Sequence, residues 1–360
     1  MVYKIPQMIP YVGREEEDNL KKVIEGKWLT EGPFTEQFVA QLKKITKAEF
    51  VVPVSSGTVA IYLALKANGI GHGDEVIVPS MTFCATASAV AWTGAKPVFV
   101  DVDRFDLNIT AYSILHAITD RTRAVLPVHL YGRSCNMKDI LEVAGVSRIK
   151  VIEDAAQGLG VHCGKYHVGT MGDAGILSFF ADKSVTTGEG GAVLTNNPSI
   201  YKEIRRMRNQ GRDRSGAFLH ESVGMNFRLT DLQAAVGVAQ LKKLPEIIRK
   251  KKIHYARYKK KLKMQFLKTP RYSNFVPFRC NVFSDNREEI QASLENCGVQ
   301  TRRLFYPLHL QPCFEHLKHD KELYASEGAY NKGMSLPVYP GLKNEEIDYI
   351  CVIINKVGEE

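Results

Sequence analysis

Three features of membrane, secreted and metal-binding proteins are missing from this sequence of 360 residues. No stretch approaches the roughly 18 apolar residues of a membrane span, and Met1 to Gln7 contain no apolar segment of a secretory signal. The seven cysteines form no close pairs and no metal-ligand spacing. We therefore expect a cytoplasmic protein with reduced thiols, no membrane association and no metal.

A dinucleotide-binding fingerprint is also missing. The segment Gly158-Leu159-Gly160-Val161-His162-Cys163-Gly164 has the wrong glycine spacing, and Gly69-Ile70-Gly71-His72-Gly73 lacks the last glycine. These departures argue against a nicotinamide-dependent oxidoreductase.

The net charge of +9 raises the possibility of a nucleic-acid-binding protein, but no documented binding motif with interleaved aromatic residues is present. Most of the excess positive charge lies in residues 241–268, which contain twelve basic residues and a single acidic one, Glu246. Tyr255, Tyr258 and Leu262 recur there at near-helical spacing. This pattern predicts that the lysines, Lys251 included, form the solvated face of a long amphipathic helix, and we expect no nucleic-acid partner.

Strand-like and helix-like segments alternate in the first half of the chain. The predicted strands are residues 51–54, 75–79, 97–101, 123–128 and 150–154, and the predicted helices are residues 59–68, 83–92, 111–118 and 137–143. The alternation predicts an α/β fold with a mostly parallel sheet flanked by helices. The last residues, roughly 90 in number, mix short strands with predicted helices at 287–296 and 344–357.

Lys183 is a candidate nucleophile. It lies between two short apolar runs, residues 176–180 and 192–195, which read as buried strands, and a glycine-rich turn follows it. A lysine brought from a buried strand into a pocket loses hydration, which lowers its pKa and frees the amine to bond covalently to a carbonyl compound. The segment alone leaves open that Lys183 is an ordinary surface residue.

Two further segments favour the functional interpretation. Asp154 ends a strand of β-branched residues, on the side where open α/β sheets bind ligands, and an acid there could hold a protonated pyridine nitrogen. Ser55-Ser56-Gly57-Thr58 lies between a strand and a helix, so its hydroxyls and amides suit a phosphate. A lysine, an acid and a phosphate cup together indicate pyridoxal 5′-phosphate (PLP).

The chain resembles the DegT/DnrJ/EryC1/StrS family of PLP-dependent nucleotide-sugar aminotransferases, and especially its perosamine and viosamine synthase branch. The matching motifs run in order along almost the whole chain: residues 9–10, 26–30, Ser55-Ser56-Gly57-Thr58, Glu153-Asp154-Ala155-Ala156-Gln157, 178–191, 224–235, 306–312 and 335–342. The resemblance implies an aspartate-aminotransferase-like large domain of PLP fold type I, and we expect it over residues 1–240 together with an N-terminal arm. A smaller C-terminal α+β domain is expected over residues 241–360.

The resemblance also assigns roles to single residues. It makes Lys183 and Asp154 the catalytic pair, and it places Phe83 on the pyridine ring and Gln157 against the phenolic oxygen. Ser56, Gly57, Thr58 and Ser178 are implied around the phosphate of the same subunit. Asn226 is implied at the phosphate of the neighbouring subunit, which predicts a homodimer with shared sites. Thr30, Tyr306 and His309 are implied on the substrate side.

The expected reaction moves an amino group from glutamate to a nucleotide-linked 4-keto-6-deoxyhexose and gives a 4-amino-4,6-dideoxy sugar nucleotide of perosamine or viosamine type. One family variant has histidine in place of the lysine and acts as a dehydratase, so the presence of Lys183 favours transfer. A 3-amino sugar transaminase and a non-catalytic regulator with the same fold remain alternatives.

Overall fold

The computed structural model describes residues 3–213, 218–317 and 322–357. Within them, thirteen short strands form a large sheet, a hairpin and a small sheet. In chain order the strands are β1 (Phe50–Val54), β2 (Glu75–Pro79), β3 (Lys96–Val100), β4 (Thr122–Val125), β5 (Lys150–Asp154), β6 (His162–Cys163), β7 (Tyr166–His167), β8 (Ala174–Ser178), β9 (Gly191–Thr195), β10 (Gln265–Phe266), β11 (Cys280–Phe283), β12 (Arg302–Arg303) and β13 (Gly333–Leu336).

Helices cover both sheets. In chain order the α-helices are α1 (Arg14–Glu25), α2 (Pro33–Thr46), α3 (Gly57–Ala67), α4 (Ala85–Trp92), α5 (Ala111–Leu115), α6 (Met137–Ser147), α7 (Pro198–Met207), α8 (Asp231–Lys261), α9 (Arg287–Asn296), α10 (Tyr324–Lys332) and α11 (Asn344–Val357). Short 3-10 turns occupy Leu130–Gly132, Leu308–Leu310 and Pro312–Leu317. Among the described helices, none combines the length and the apolarity that crossing a membrane requires.

The large sheet has the strand order β1-β9-β8-β5-β4-β2-β3. The pairs from β3 to β8 are parallel, whereas β9 runs antiparallel to both β8 and β1. All strands except β9 therefore point the same way, and their carboxyl ends share one edge. The predicted mostly parallel α/β sheet is confirmed.

The strand boundaries deviate from the prediction where apolar residues pack outside the sheet. The run at residues 176–180 predicted a strand reaching Phe180, but β8 ends at Ser178. Phe179 is fully buried and packs edge-on against Phe38, with ring centroids 5.0 Å apart. The apolar run therefore continues past the strand because its last residues pack against a helix and line a cavity.

The small sheet is antiparallel, with the order β10-β11-β13-β12. Its core lies against α9, α11 and the second half of α8, whereas the first half of α8 packs into a core beside the large sheet. A division of the chain at residue 240 would fall within this continuous helix. The two-domain partition at that residue stays a prediction.

Candidate active site

The shared edge of the large sheet brings the predicted site segments together. Asp154 ends β5, Ser178 ends β8, and Ser56 follows β1 as the residue that caps α3. Because these three strands point the same way, their ends surround one cavity of about 510 Å³. Lys183 lies in the turn between β8 and β9 and lines the same cavity.

The Lys183 side chain is only 16% exposed. Its Nζ lies 3.6 Å from Asp182 Oδ1 and 4.6 Å from the centre of the Phe278 ring. Burial lowers the pKa of Lys183, while the Asp182 carboxylate opposes this effect. Its amine is therefore closer to the unprotonated, nucleophilic form than that of a surface lysine.

Asp182 joins Lys183 to the small sheet. Its Oδ2 accepts a hydrogen bond from Arg279 Nη2 at 2.5 Å, and Arg279 also donates to Gln7 Oε1. Arg279 is buried, and burial lowers its pKa whereas Asp182 raises it. This chain of contacts fixes the position of the carboxylate that faces the lysine.

Asp154 is buried and is held by neutral donors. Its Oδ2 accepts a hydrogen bond of 2.8 Å from Thr86 Oγ1, and its Oδ1 accepts one of 3.1 Å from the Ala156 amide. Burial raises the pKa of Asp154, and the Ala156 and Thr86 hydrogen bonds partly oppose this increase. A buried carboxylate in this setting favours a cationic partner in the cavity, which the protonated nitrogen of a pyridine would provide.

A phosphate cup forms where α3 begins. The Ser56 hydroxyl accepts a hydrogen bond of 3.2 Å from the Val59 amide and can still donate its own proton. The first amides of the helix have no intrahelical partners and point towards an anion. A Cβ at Gly57 would lie 2.8 Å from Ser178 Cβ, so only glycine lets the helix start this close to the end of β8.

Aromatic rings form another wall of the cavity. Phe83 lines the cavity and is 59% exposed. The centroid of its ring lies 5.8 Å from that of Phe305. The Phe305 ring in turn stacks on Tyr131, with centroids 5.6 Å apart. Gln157 Oε1 accepts a hydrogen bond of 2.8 Å from the Tyr131 amide. An open aromatic face suits a flat, electron-poor ring.

The cavity thus collects eight of the predicted site residues: Ser56, Gly57, Thr58, Phe83, Asp154, Gln157, Ser178 and Lys183. Four others, Thr30, Asn226, Tyr306 and His309, are not among the described residues that line it. The His309 ring is hydrogen-bonded to Ser80 Oγ at 2.7 Å and to Glu327 Oε1 at 3.3 Å. Tyr306 packs edge-on against Tyr330, with ring centroids 5.0 Å apart.

Thr30 lines a second cavity of about 270 Å³. Four arginines surround this cavity: Arg205, Arg208, Arg212 and Arg228. Asn226 is exposed and pairs through a β-bridge with Asn209, which also lines the second cavity. Thr30 therefore lines the second cavity, and Asn226 adjoins it through Asn209.

One interpretation from the sequence was wrong. Lys251 was predicted on the solvated face of its helix, but it is only 1% exposed. Its Nζ donates to Phe278 O at 3.3 Å and to Ser184 Oγ at 3.4 Å, and burial lowers the pKa of Lys251 to about 7. The helical period marks Lys251 as buried, because it lies four residues after Ile247 and four before Tyr255 on one face of α8, and only its charge suggested exposure.

The residues present fit PLP. The cavity offers an amine of lowered pKa, a buried carboxylate and an exposed aromatic face. It also offers a helix N-terminus that leaves no room for a Cβ at Gly57. These groups match the aldehyde, the pyridine nitrogen, the ring and the phosphate of that cofactor. Lys183, Asp154, Phe83 and the segment from Ser56 to Thr58 are thus the residues that could hold it.

Comparisons with known proteins agree with this arrangement. Residues 10–355 match the DegT/DnrJ/EryC1/StrS aminotransferase family. The GDP-perosamine synthase of Escherichia coli O157:H7 is 35% identical over 359 residues, which cover 98% of each chain.

Solved structures show the same fold. The chain superposes on DesV of S. venezuelae with a TM-score of 0.92 and 31% identity, covering 96% of this chain and 95% of that one. It superposes on the PLP form of the sugar aminotransferase Spr1654 from Streptococcus pneumoniae with a TM-score of 0.94 and 26% identity, covering 99% of each chain.

Proposed function

The chain belongs to the DegT/DnrJ/EryC1/StrS aminotransferase family and is a sugar aminotransferase, and from this premise we propose its cofactor and its substrates. It binds PLP in the Lys183 cavity, takes an amino group from glutamate and transfers it to a nucleotide-linked 4-keto-6-deoxyhexose. The product is a 4-amino-4,6-dideoxy sugar nucleotide. The observation that carries this proposal is the meeting of Lys183, Asp154 and the phosphate cup in one cavity.

The side chains of the cavity have separate roles in the proposed reaction. PLP, when bound, supplies an electron sink that stabilises negative charge on the substrate carbon next to the nitrogen. Asp154 would hold a proton on the pyridine nitrogen, and Thr86 orients Asp154 through the hydrogen bond to Oδ2. Lys183 Nζ would hold the aldehyde group of the cofactor, and as a free amine it would accept and return the protons of the substrate carbons. Its lowered pKa suits both tasks.

We propose a homodimer whose sites are completed by both subunits. Asn226 is not among the described residues that line the Lys183 cavity of its own chain, as the shared-site hypothesis requires. The segment that leads to Asn226 carries exposed apolar side chains, with Phe218 90% and Val223 95% exposed. Such a surface is typical of an interface. Tyr306 and His309 stay proposed substrate-side residues.

Subunit mixing tests the shared site. Lys183→Ala and Asn226→Ala proteins should each have little activity, because each homodimer has a defect in both sites. A mixed dimer carries both substitutions in one site and none in the other, so mixing after mild dissociation should restore activity. Failure of every mixture to recover activity, with mixed dimers shown by native mass spectrometry, would contradict site sharing.

A panel of nucleotide-linked keto sugars tests which amino acceptor the enzyme uses. The enzyme is incubated with glutamate, PLP and the UDP-, GDP- and dTDP-linked 4-keto-6-deoxy sugars, and any amino sugar is identified by mass spectrometry and NMR. The name of the similar Escherichia coli protein puts the GDP-linked sugar first. We expect amination at carbon 4 of one of these sugars. Amination at carbon 3, or no amination of any sugar, would contradict the proposal.

A further inference from the structure

The two faces of the small sheet differ in chemistry. Along β11 and β13, residues at alternate positions, such as Val282 and Met334, pack into the apolar core under α9 and α11. The residues between them are polar, namely Asn281 and Ser335. Since successive side chains of a strand point to opposite faces, Asn281 and Ser335 lie on the face away from that core.

The strand register extends this polar face to Arg302. Ser335 pairs with Asn281 on one side and with Arg302 on the other, so the three side chains form a row across the sheet. Ser335 Oγ donates to Asn281 Oδ1 at 3.5 Å. Both Ser335 and Arg302 line the Lys183 cavity. The row is thus the wall of the cavity that the small sheet contributes.

The arginines of this wall differ in whether they have partners within the protein. Arg279 is paired with Asp182, and Arg303 donates to Glu288 and Tyr330. Within residues 3–213, 218–317 and 322–357, the exposed Arg302 forms no ion pair and no hydrogen bond through its guanidinium. Behind Ser335, the buried Asn281 Nδ2 also has no partner in this part of the chain. The wall therefore has donors that no described protein group uses.

We propose that Arg302, together with Ser335, binds a carboxylate of the amino-acid donor, an inference that rests on the proposed aminotransferase function. A planar guanidinium can donate two parallel hydrogen bonds to a carboxylate, and the Ser335 hydroxyl can donate a third. The phosphate cup at α3 already provides the anion site for the cofactor, so the small-sheet wall is free for a second anionic group.

The position of Arg302 suits a donor whose amine must reach Lys183. Arg302 is close enough to Arg279 for its charge to lower the pKa of Arg279, in addition to the larger effects of burial and Asp182. Arg279 in turn contacts Asp182, which faces Lys183 Nζ. A carboxylate at Arg302 would thus be in the same polar region as the amine, on the side of the cavity formed by the small sheet.

The test measures carboxylate binding without turnover. Glutarate, a dicarboxylate without an amino group, is titrated by calorimetry into the PLP-loaded wild type and into Arg302→Gln, Arg302→Lys and Arg271→Gln proteins. Arg271 is an exposed arginine that does not line this cavity, so it is the matched control. We expect Arg302→Gln to bind glutarate at least about tenfold more weakly, as for a lost charge-assisted hydrogen bond. Arg302→Lys should recover part of the affinity, and Arg271→Gln should match the wild type.

The outcomes separate this inference from the proposed function. Equal glutarate affinity in wild type and Arg302→Gln would overturn the inference even if the enzyme makes an amino sugar. A larger loss of affinity for GDP than for glutarate would also overturn it, because Arg302 would then serve the diphosphate. A specific loss of glutarate binding with no amination of any sugar would support the carboxylate site and contradict the proposed function. Unchanged circular dichroism and melting temperature of the variants exclude misfolding.

Discussion

Replacement of the buried Lys251 by methionine should stabilise the protein in a way that depends on pH. Lys251 is 1% exposed, and burial lowers its pKa from 10.5 to about 7. Above pH 7 the folded protein therefore holds this amine largely unprotonated, whereas the unfolded chain still binds the proton up to pH 10.5. Because the unfolded state binds more protons in this window, the stability of the wild type rises with pH between about 7 and 10.5.

The size of the effect follows from the pKa shift. Each unit of difference corresponds to about 1.4 kcal/mol, so the lowered pKa costs the wild type about 4 kcal/mol of stability at pH 7 and less than about 1 kcal/mol near pH 10.5. Methionine removes this cost but also loses the hydrogen bonds to Phe278 O and Ser184 Oγ. Each lost bond costs about 1 kcal/mol. Lys251→Met should therefore be more stable by about 2 kcal/mol at pH 7, and this advantage should vanish by pH 9.

Urea unfolding of cofactor-free wild type and Lys251→Met at pH 7, 8 and 9 measures the difference. We expect it to fall by about 1 kcal/mol per pH unit, from about 2 kcal/mol at pH 7 to about zero at pH 9. Lys252→Met, the same change at the exposed neighbouring lysine, is the control and should alter stability by less than about 0.5 kcal/mol at each pH. A difference for Lys251→Met that stays constant with pH would refute the conclusion that burial keeps this amine neutral.

Two further substitutions test the cavity. Asp154→Asn removes the charge that holds the proton on the cofactor nitrogen, so kcat should fall at least about 100-fold. Borohydride should still attach the cofactor to Lys183 in this variant. A kcat near the wild-type value would contradict the role of Asp154. Gly57→Ala would place a Cβ 2.8 Å from Ser178 Cβ and displace the start of α3, so PLP affinity in a fluorescence titration should weaken about tenfold. Gly145→Ala, where a Cβ meets nothing within 4 Å, is its control, and equal PLP affinity in the two variants would count against the cup.

The large sheet was predictable because its strands are short apolar runs between clear turns. The predicted strands at 75–79 and 150–154 have the boundaries that the structure shows, and so do the helices at 287–296 and 344–357. Strand direction then fixes where Asp154 and Ser178 lie, since parallel strands end at one edge. The roles assigned to these residues stay predictions.

The small-sheet wall was not predictable from local pattern. Arg302 and Ser335 come from different strands, and only the antiparallel register and the contact between the two sheets bring them to the cavity. Lys251 was missed because its charge was taken as a sign of exposure, although it lies four residues before Tyr255 and seven before Tyr258 on the buried face of the helix. Thr30 was predicted on the substrate side, but its own chain places it in the arginine-lined cavity, which sequence spacing could not reveal.

The most direct test of the account is the covalent attachment of the cofactor. The protein is incubated with PLP, reduced with borohydride, digested and analysed by mass spectrometry. We predict that the pyridoxyl label lies on Lys183, that Lys251→Met keeps it there, and that Lys183→Ala loses it. A label of equal amount in Lys183→Ala, or a label found on another lysine of the wild type, would contradict the central claim.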